Sequence, residues 1–281
     1  MKSLLVPLRV GEEIEVVLAH ALTLARAFDS YVEGLVVEPV FQVVAGEAMA
    51  AVPAYDDQML EDWRARAKET RARFTEIMDA AGVPLAADKT AATGPGAGWR
   101  ELKGPESTVV GEHGRLFDLI VIGRGPEDAS SEVTETCEAA LFESGRPVLL
   151  APREPVEAIG RNLVISWNGS TETARTIGLG MSIVERAETV HVLTVEGATV
   201  AGPTGQAVAD YLARRGLDAR AVTAKPGDRS AGAAILAEAA ALGADLLLKG
   251  AYTHSRLRQM VFGGPTKHIL AHASLPVLMA H

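Results

Sequence analysis

The chain has 281 residues, 48% of them apolar and 22% charged, with a formal net charge of −9. That balance suits a folded globular protein and excludes a disordered one. The acidic excess argues against attraction of nucleic acid or an anionic membrane over the whole surface.

The opening MKSLLVPLRVGEE holds a brief apolar run that ends in Arg9 and two glutamates. A secretory segment would run longer and end in a small-residue cleavage motif, so residues 4–8 read as a first β-strand. The longest apolar runs, such as 119–122 and 246–248, fall far short of the roughly 20 residues that cross a bilayer. The single cysteine, Cys137, excludes an internal disulfide. It fits a reducing, cytoplasmic compartment, and its expected place is that of a small helix residue.

The chain repeats itself. SLLVPL at 3–8 matches NLVISW at 162–167, and VEGLVV at 32–37 matches VHVLTV at 190–195. FDLIVIG at 117–123 matches ADLLLKG at 244–250, and RPVLLA at 146–151 matches LPVLMA at 275–280. Four segments recurring in one order mark an internal duplication. The first half carries extra residues at 38–57 and a long helix at 58–81. The helix face Leu60, Trp63, Ala67, Phe74 and Ile77 has helical spacing and is expected to pack on the core. Its Arg64, Arg66, Lys68, Arg71 and Arg73 interleave with Glu61, Asp62, Glu69 and Glu76, which reads as a solvated face with ion pairs. PREPVEAIG at 152–160 suits an exposed linker. The expected domains are therefore 1–152 and 160–281.

In the second half, strands are expected at 163–166, 189–195, 218–223, 245–249 and 276–280. Helices are expected at 171–186, 204–215, 231–242 and 266–272. Strands that are apolar throughout point to a parallel sheet covered on both faces. Right-handed crossovers then give a doubly wound sandwich, whose ligands sit beyond the carboxyl ends of the strands.

Two segments at that edge carry chemistry. Asn168 and Gly169, after Ser166 and Trp167, suit a tight turn, and Ser170 can cap the next helix. Further on, GAYTHSRLRQMVFGGPTKHIL runs from Gly250 to Leu270. A glycine leaves the strand after Lys249, and thirteen residues later Gly263 and Gly264 open a helix. Glycines admit a close backbone approach, and a helix N-terminus offers free N–H groups to an anion. Arg256, Arg258 and Lys267 add positive charge. The pattern is neither GxxxxGK[ST] nor GxGxxG. His268 and His272 share a helix face; a zinc reading needs a third ligand, for which His254, His281 and Asp245 are candidates only if the fold brings them close, and no HExxH occurs. No GxSxG signals a hydrolase nucleophile.

The two halves resemble universal stress protein domains in tandem. Nucleotide-binding members of that family carry Gly, two residues, Gly, nine residues, then Gly and Ser or Thr; Gly250 and Gly263 match the first and third glycines. The resemblance implies two doubly wound five-stranded parallel sandwiches, of the adenine nucleotide α-hydrolase type. It further implies that they pack as a pseudo-dimer through the last strands, 148–151 and 277–280. It implies ATP, with or without Mg, in the second half. Trp167, Asn168, Gly169 and Val195 would border the adenosine. Lys249, Gly250, Thr253, Arg256, Gly263, Gly264 and Thr266 would surround the phosphates. The chain departs from the pattern at Thr253 in place of the second glycine, at Gly264 in place of the hydroxyl residue, and at Asn168 in place of an aspartate. Thr266 restores a hydroxyl nearby.

The first half keeps Gly123 but follows it with Arg124–Gly125–Pro126, and Glu138 and Glu143 lie where phosphate would be repelled. This half is expected to have lost the nucleotide site. No catalytic residue and no metal ligand is assigned. The rival readings are a slow ATP-hydrolysing or phosphoryl-transferring enzyme, and a scaffold that binds a protein partner through the first domain without nucleotide. Association of two chains into a homodimer is left open.

Overall fold

The computed structural model describes residues 1–40, 53–85, 95–124, 130–251 and 264–281. In the first half, β1 (Ser3–Pro7), β2 (Tyr31–Glu38), β3 (Gly96–Lys103), β4 (Leu119–Gly123) and β5 (Val148–Ala151) are joined by α1 (Glu15–Phe28), α2 (Pro53–Ala80), α3 (Glu106–His113) and α4 (Ser130–Glu143). In the second, β6 (Asn162–Ser166), β7 (Thr189–Val195), β8 (Ala219–Ala224), β9 (Leu246–Gly250) and β10 (Val277–Ala280) follow the same plan. Their helices are α5 (Thr171–Leu179), α6 (Met181–Val184), α7 (Gly205–Ala213), α8 (Ala231–Ala241) and α9 (Pro265–His272).

All ten strands form one sheet in the order β3-β2-β1-β4-β5-β10-β9-β6-β7-β8. Pairing is parallel within each half and antiparallel only where β5 meets β10, with Leu149 opposite Leu278. A pseudo-two-fold axis between those strands requires the reversal, so the carboxyl edges of the halves lie at opposite ends of the sheet. The expected pseudo-dimer through the last strands is thus present. It covers what would otherwise be two open edges.

Alternate residues along each strand feed two cores. Leu4, Val6, Leu119 and Leu149 face α1 and α2, and Leu163 and Ile165 face α5 and α7. Leu5, Ile120, Val148, Val164 and Leu247 face the opposite layer, built from α3, α4, α8 and α9. Cys137 is fully buried in α4, and burial pushes its thiol up to about 12. In α2, Ala67, Phe74 and Met78 are buried, while Trp63 and Ile77 pack partly buried against the core. Gly34 in β2 makes room for Phe74, because a Cβ there would stand 2.8 Å from the ring. The charged face of α2 is exposed, and Arg73 pairs with Glu15 at 2.6 Å and with Glu76 at 3.0 Å.

The helix expected over 171–186 is broken at Gly180. A Cβ at that position would meet the Leu278 side chain at 2.6 Å and the Thr176 carbonyl at 3.0 Å. The break lets the helix lie close on the joint between the halves. Among the described residues, no helix is long and apolar enough to cross a membrane.

Candidate functional site

The carboxyl edge of the second half is assembled from the ends of β6, β7 and β9 and the start of α9. Trp167 is 5% exposed, and its indole N–H donates to the Pro203 carbonyl at 2.8 Å. Gly169 adopts φ +87°, a left-handed conformation that favours glycine. The Asn168 side-chain oxygen accepts from the Ser170 N–H at 3.2 Å and from the Thr173 hydroxyl at 2.9 Å. Ser170 caps α5 by accepting from the Thr173 N–H at 3.2 Å. The loop following β7 lies directly on this turn: Val200 N–H donates to the Asn168 carbonyl at 2.8 Å. A Cβ on Gly169 would stand 2.6 Å from the Val200 carbonyl oxygen, and one on Gly202 would strike the Gly169 carbonyl. Val195 is buried at the end of β7.

At the end of β9, Lys249 is 7% exposed. Its ammonium donates to the Gly250 carbonyl at 2.7 Å and to the Thr266 hydroxyl at 2.8 Å, both neutral acceptors. Burial pushes this ammonium down to about 8. Thr266 is itself buried in the first turn of α9. Gly264 caps that helix with an extended backbone and no side-chain bond, and Pro265 occupies the first helical position. A desolvated cation thus meets the positive end of a helix dipole, a combination that favours a bound anion.

Gly250 has a packing reason to be glycine. A Cβ there would strike the Thr173 backbone nitrogen and stand 2.7 Å from the Glu172 carbonyl carbon. Its N–H donates to the Thr173 hydroxyl at 3.3 Å. The strand end and the first turn of α5 therefore lie in contact.

The structure brings Lys249, Gly250 and Thr266 together, and places Trp167, Asn168 and Gly169 beside them across Thr173. Thr253, Arg256 and Gly263 lie outside the described residues, as do His254 and Arg258. Thr173 and Thr176 were not anticipated. The Thr176 hydroxyl donates to the Glu172 carbonyl at 2.7 Å and accepts from the Ala280 N–H at 3.1 Å, which ties α5 to β10. The three-residue spacing in TETART, on the sheet-facing side of a helix, was the available signal. His268 and His272 stack with ring centroids 4.2 Å apart.

The first half holds two polar features of its own. Glu33, 1% exposed in β2, bonds His113 at 2.6 Å and Tyr31 at 3.0 Å. At the carboxyl edge of β1 and β4 lies a cleft of about 490 Å³. One wall is an ion pair between Arg9 and Glu106 at 3.1 Å, with the Thr136 hydroxyl bonded to both.

Two open α/β halves, joined edge to edge with their carboxyl edges at opposite ends, define a tandem α/β protein. Residues 172–281 match the model of the Universal stress protein family. A universal stress protein from Archaeoglobus fulgidus DSM 4304 has the same fold along the whole chain. Its TM-score is 0.70 at 15% identity, covering 99% of this chain and 95% of that one. A functionally unknown protein from Pseudomonas aeruginosa PAO1 is similar with a TM-score of 0.54 at 16% identity, covering 100% and 92%. At these identities the likeness is one of fold, and it extends the duplication to the first half. No curated protein matches.

Proposed function

We propose that the chain is a stress-response module that binds ATP at the carboxyl edge of its second half and works in the cytoplasm. The match of residues 172–281 to the Universal stress protein family supports the stress-response role. The observation that carries the ligand is Lys249, a buried ammonium on neutral acceptors beside the N-terminus of α9. A phosphate placed there would supply a countercharge that none of the described residues provides, and would use the N–H groups of the first turn. The Lys249 ammonium would bind a phosphate oxygen, and the Thr266 hydroxyl would turn toward it. Calorimetric titration of nucleotide-free protein with ATP, with and without Mg, tests the reading. Binding weakened by about 10- to 100-fold in Lys249→Met is the expected outcome, and indifference to that change would remove its basis.

One observation favours the rival reading of a partner-binding scaffold. The loop after β7 is bonded to Asn168 and pressed on Gly169, where the resemblance puts the adenosine. ATP binding therefore requires that loop to lie beside the base rather than over it. A titration without heat would favour the scaffold.

A further inference from the structure

In the second half the chain leaves β6 for β7 and β8 on one side of it and returns through β9 and β10 on the other. The crevice between the ends of β6 and β9 is therefore the switch point at which such sheets hold ligands. Lys249 and Gly250 form its β9 bank, and Gly250 meets the first turn of α5 through Thr173. The turn at Trp167, Asn168 and Gly169 forms its β6 bank, and the loop joining β7 to α7 lies on that turn. The Val200 N–H donates to the Asn168 carbonyl at 2.8 Å. The Trp167 indole N–H donates to the Pro203 carbonyl at 2.8 Å. A Cβ on Gly169 would stand 2.6 Å from the Val200 carbonyl oxygen, and one on Gly202 would strike the Gly169 carbonyl.

The loop contributes main chain to these contacts and buries no side chain of its own. Ala198 and Val200 are half-buried, and the rest of 196–204 is exposed. Its two ends are fixed. The Glu196 N–H donates to the Ala224 carbonyl at 2.9 Å, and Thr204 caps α7 by accepting from the Ala207 N–H at 3.2 Å. Between them Gly197 adopts φ +76° with open space around it, which suits a hinge. A segment held by a few main-chain bonds at the surface opens at low free energy while the strands beneath stay folded. Opening exchanges both bonds for ligand bonds. The Asn168 carbonyl can accept from an exocyclic amine, and the Trp167 N–H can donate to a ring nitrogen.

We propose that residues 197–203 are an autoinhibitory lid on the second-half site, whose main chain holds the Asn168 and Trp167 groups that an aminated heterocyclic base takes over when ATP binds. The inference rests on the ATP reading of that site and adds its regulation. ATP binds only the open fraction, so the closed lid weakens the apparent affinity by that fraction.

Gly202→Ala acts on the closed state. The Gly202 backbone lies outside the left-handed region, so alanine is opposed there by the Gly169 carbonyl of the closed lid. Val200→Pro removes the N–H that Asn168 accepts from. Calorimetric titration of the full nucleotide-free chain with ATP should show each variant binding at least about fivefold more tightly than the parent. Thermal unfolding checks that both variants fold. Hydrogen exchange over residues 196–204, followed by mass spectrometry, is the second readout. ATP should speed exchange at Val200 in the parent, the reverse of the protection expected of a loop that closes over its ligand. Gly202→Ala should show the fast exchange without ATP. ATP binding that is unchanged or weaker in both variants would overturn the lid and leave the Lys249 reading standing. Slower exchange over the loop on addition of ATP would overturn it too. No ATP binding by the parent or either variant would remove the nucleotide reading and the lid together.

Discussion

Lys249 should cost the empty protein stability, and the cost should depend on pH. Its ammonium is buried and pushed from the ordinary 10.5 to about 8 by burial. Between those two values the folded chain binds fewer protons than the unfolded chain, so stability rises with pH across that window. Below pH 8 the penalty stands in full. At about 1.4 kcal/mol per tenfold, it amounts to roughly 3 kcal/mol at pH 7. Lys249→Met removes the charge but also removes the bonds to the Gly250 carbonyl and the Thr266 hydroxyl, a loss of about 1–2 kcal/mol. The net expectation is a variant about 1–2 kcal/mol more stable than the parent at pH 7. The advantage should shrink above pH 8 and reverse toward pH 10.5. Paired urea unfolding of parent and variant at pH 7, 9 and 10.5 measures this, because other titrations cancel in the difference. A variant that is less stable than the parent by the same amount at every pH would refute the reasoning. A stabilising substitution that also weakens ATP binding would identify the lysine as retained for the ligand.

Two further outcomes follow from the packing. Gly250→Ala should lower stability by about 1–3 kcal/mol, because its Cβ meets helix backbone rather than a side chain that can turn away; a loss within about 0.5 kcal/mol of zero by urea unfolding would contradict the contact. His20 is 1% exposed in α1, its Nδ1 bonded to the Val16 carbonyl and its Nε2 buried without a partner. Burial lowers its pKa from the ordinary 6.5, so the fold should lose stability as pH falls below that value. His20→Leu should flatten the difference between pH 7 and pH 5, and an unchanged acid dependence would count against a neutral buried imidazole.

Much of the fold was legible because parallel strands buried on both faces are written as short apolar runs. Four of those runs recur in order, and their last members pair as expected across the joint between the halves. The strand β3 escaped because GAGWRELK mixes glycines with charges, a composition tolerated at a sheet edge. The break at Gly180 was hidden because its cause, Leu278, lies 98 residues away in sequence and touches it only after β10 has paired. The site was legible in part. The segment from Gly250 onward announced a ligand edge, but Gly250 itself answers to the first turn of α5. Lys249 could be named from its place after three leucines, while its lack of a charged partner among the described residues is a tertiary fact. The first-half cleft was not legible at all. Its glycine pattern had gone, and nothing local to Arg124 shows that its guanidinium reaches the Ile269 carbonyl of α9.

ATP binding at Lys249 is decided by calorimetric titration of nucleotide-free parent, Lys249→Met and Arg124→Met. A nucleotide site at Lys249 requires micromolar binding by the parent, binding weakened by about 10- to 100-fold in Lys249→Met, and unaltered binding in Arg124→Met. No heat and no thermal shift with millimolar ATP, or equal binding by the parent and Lys249→Met, would contradict it.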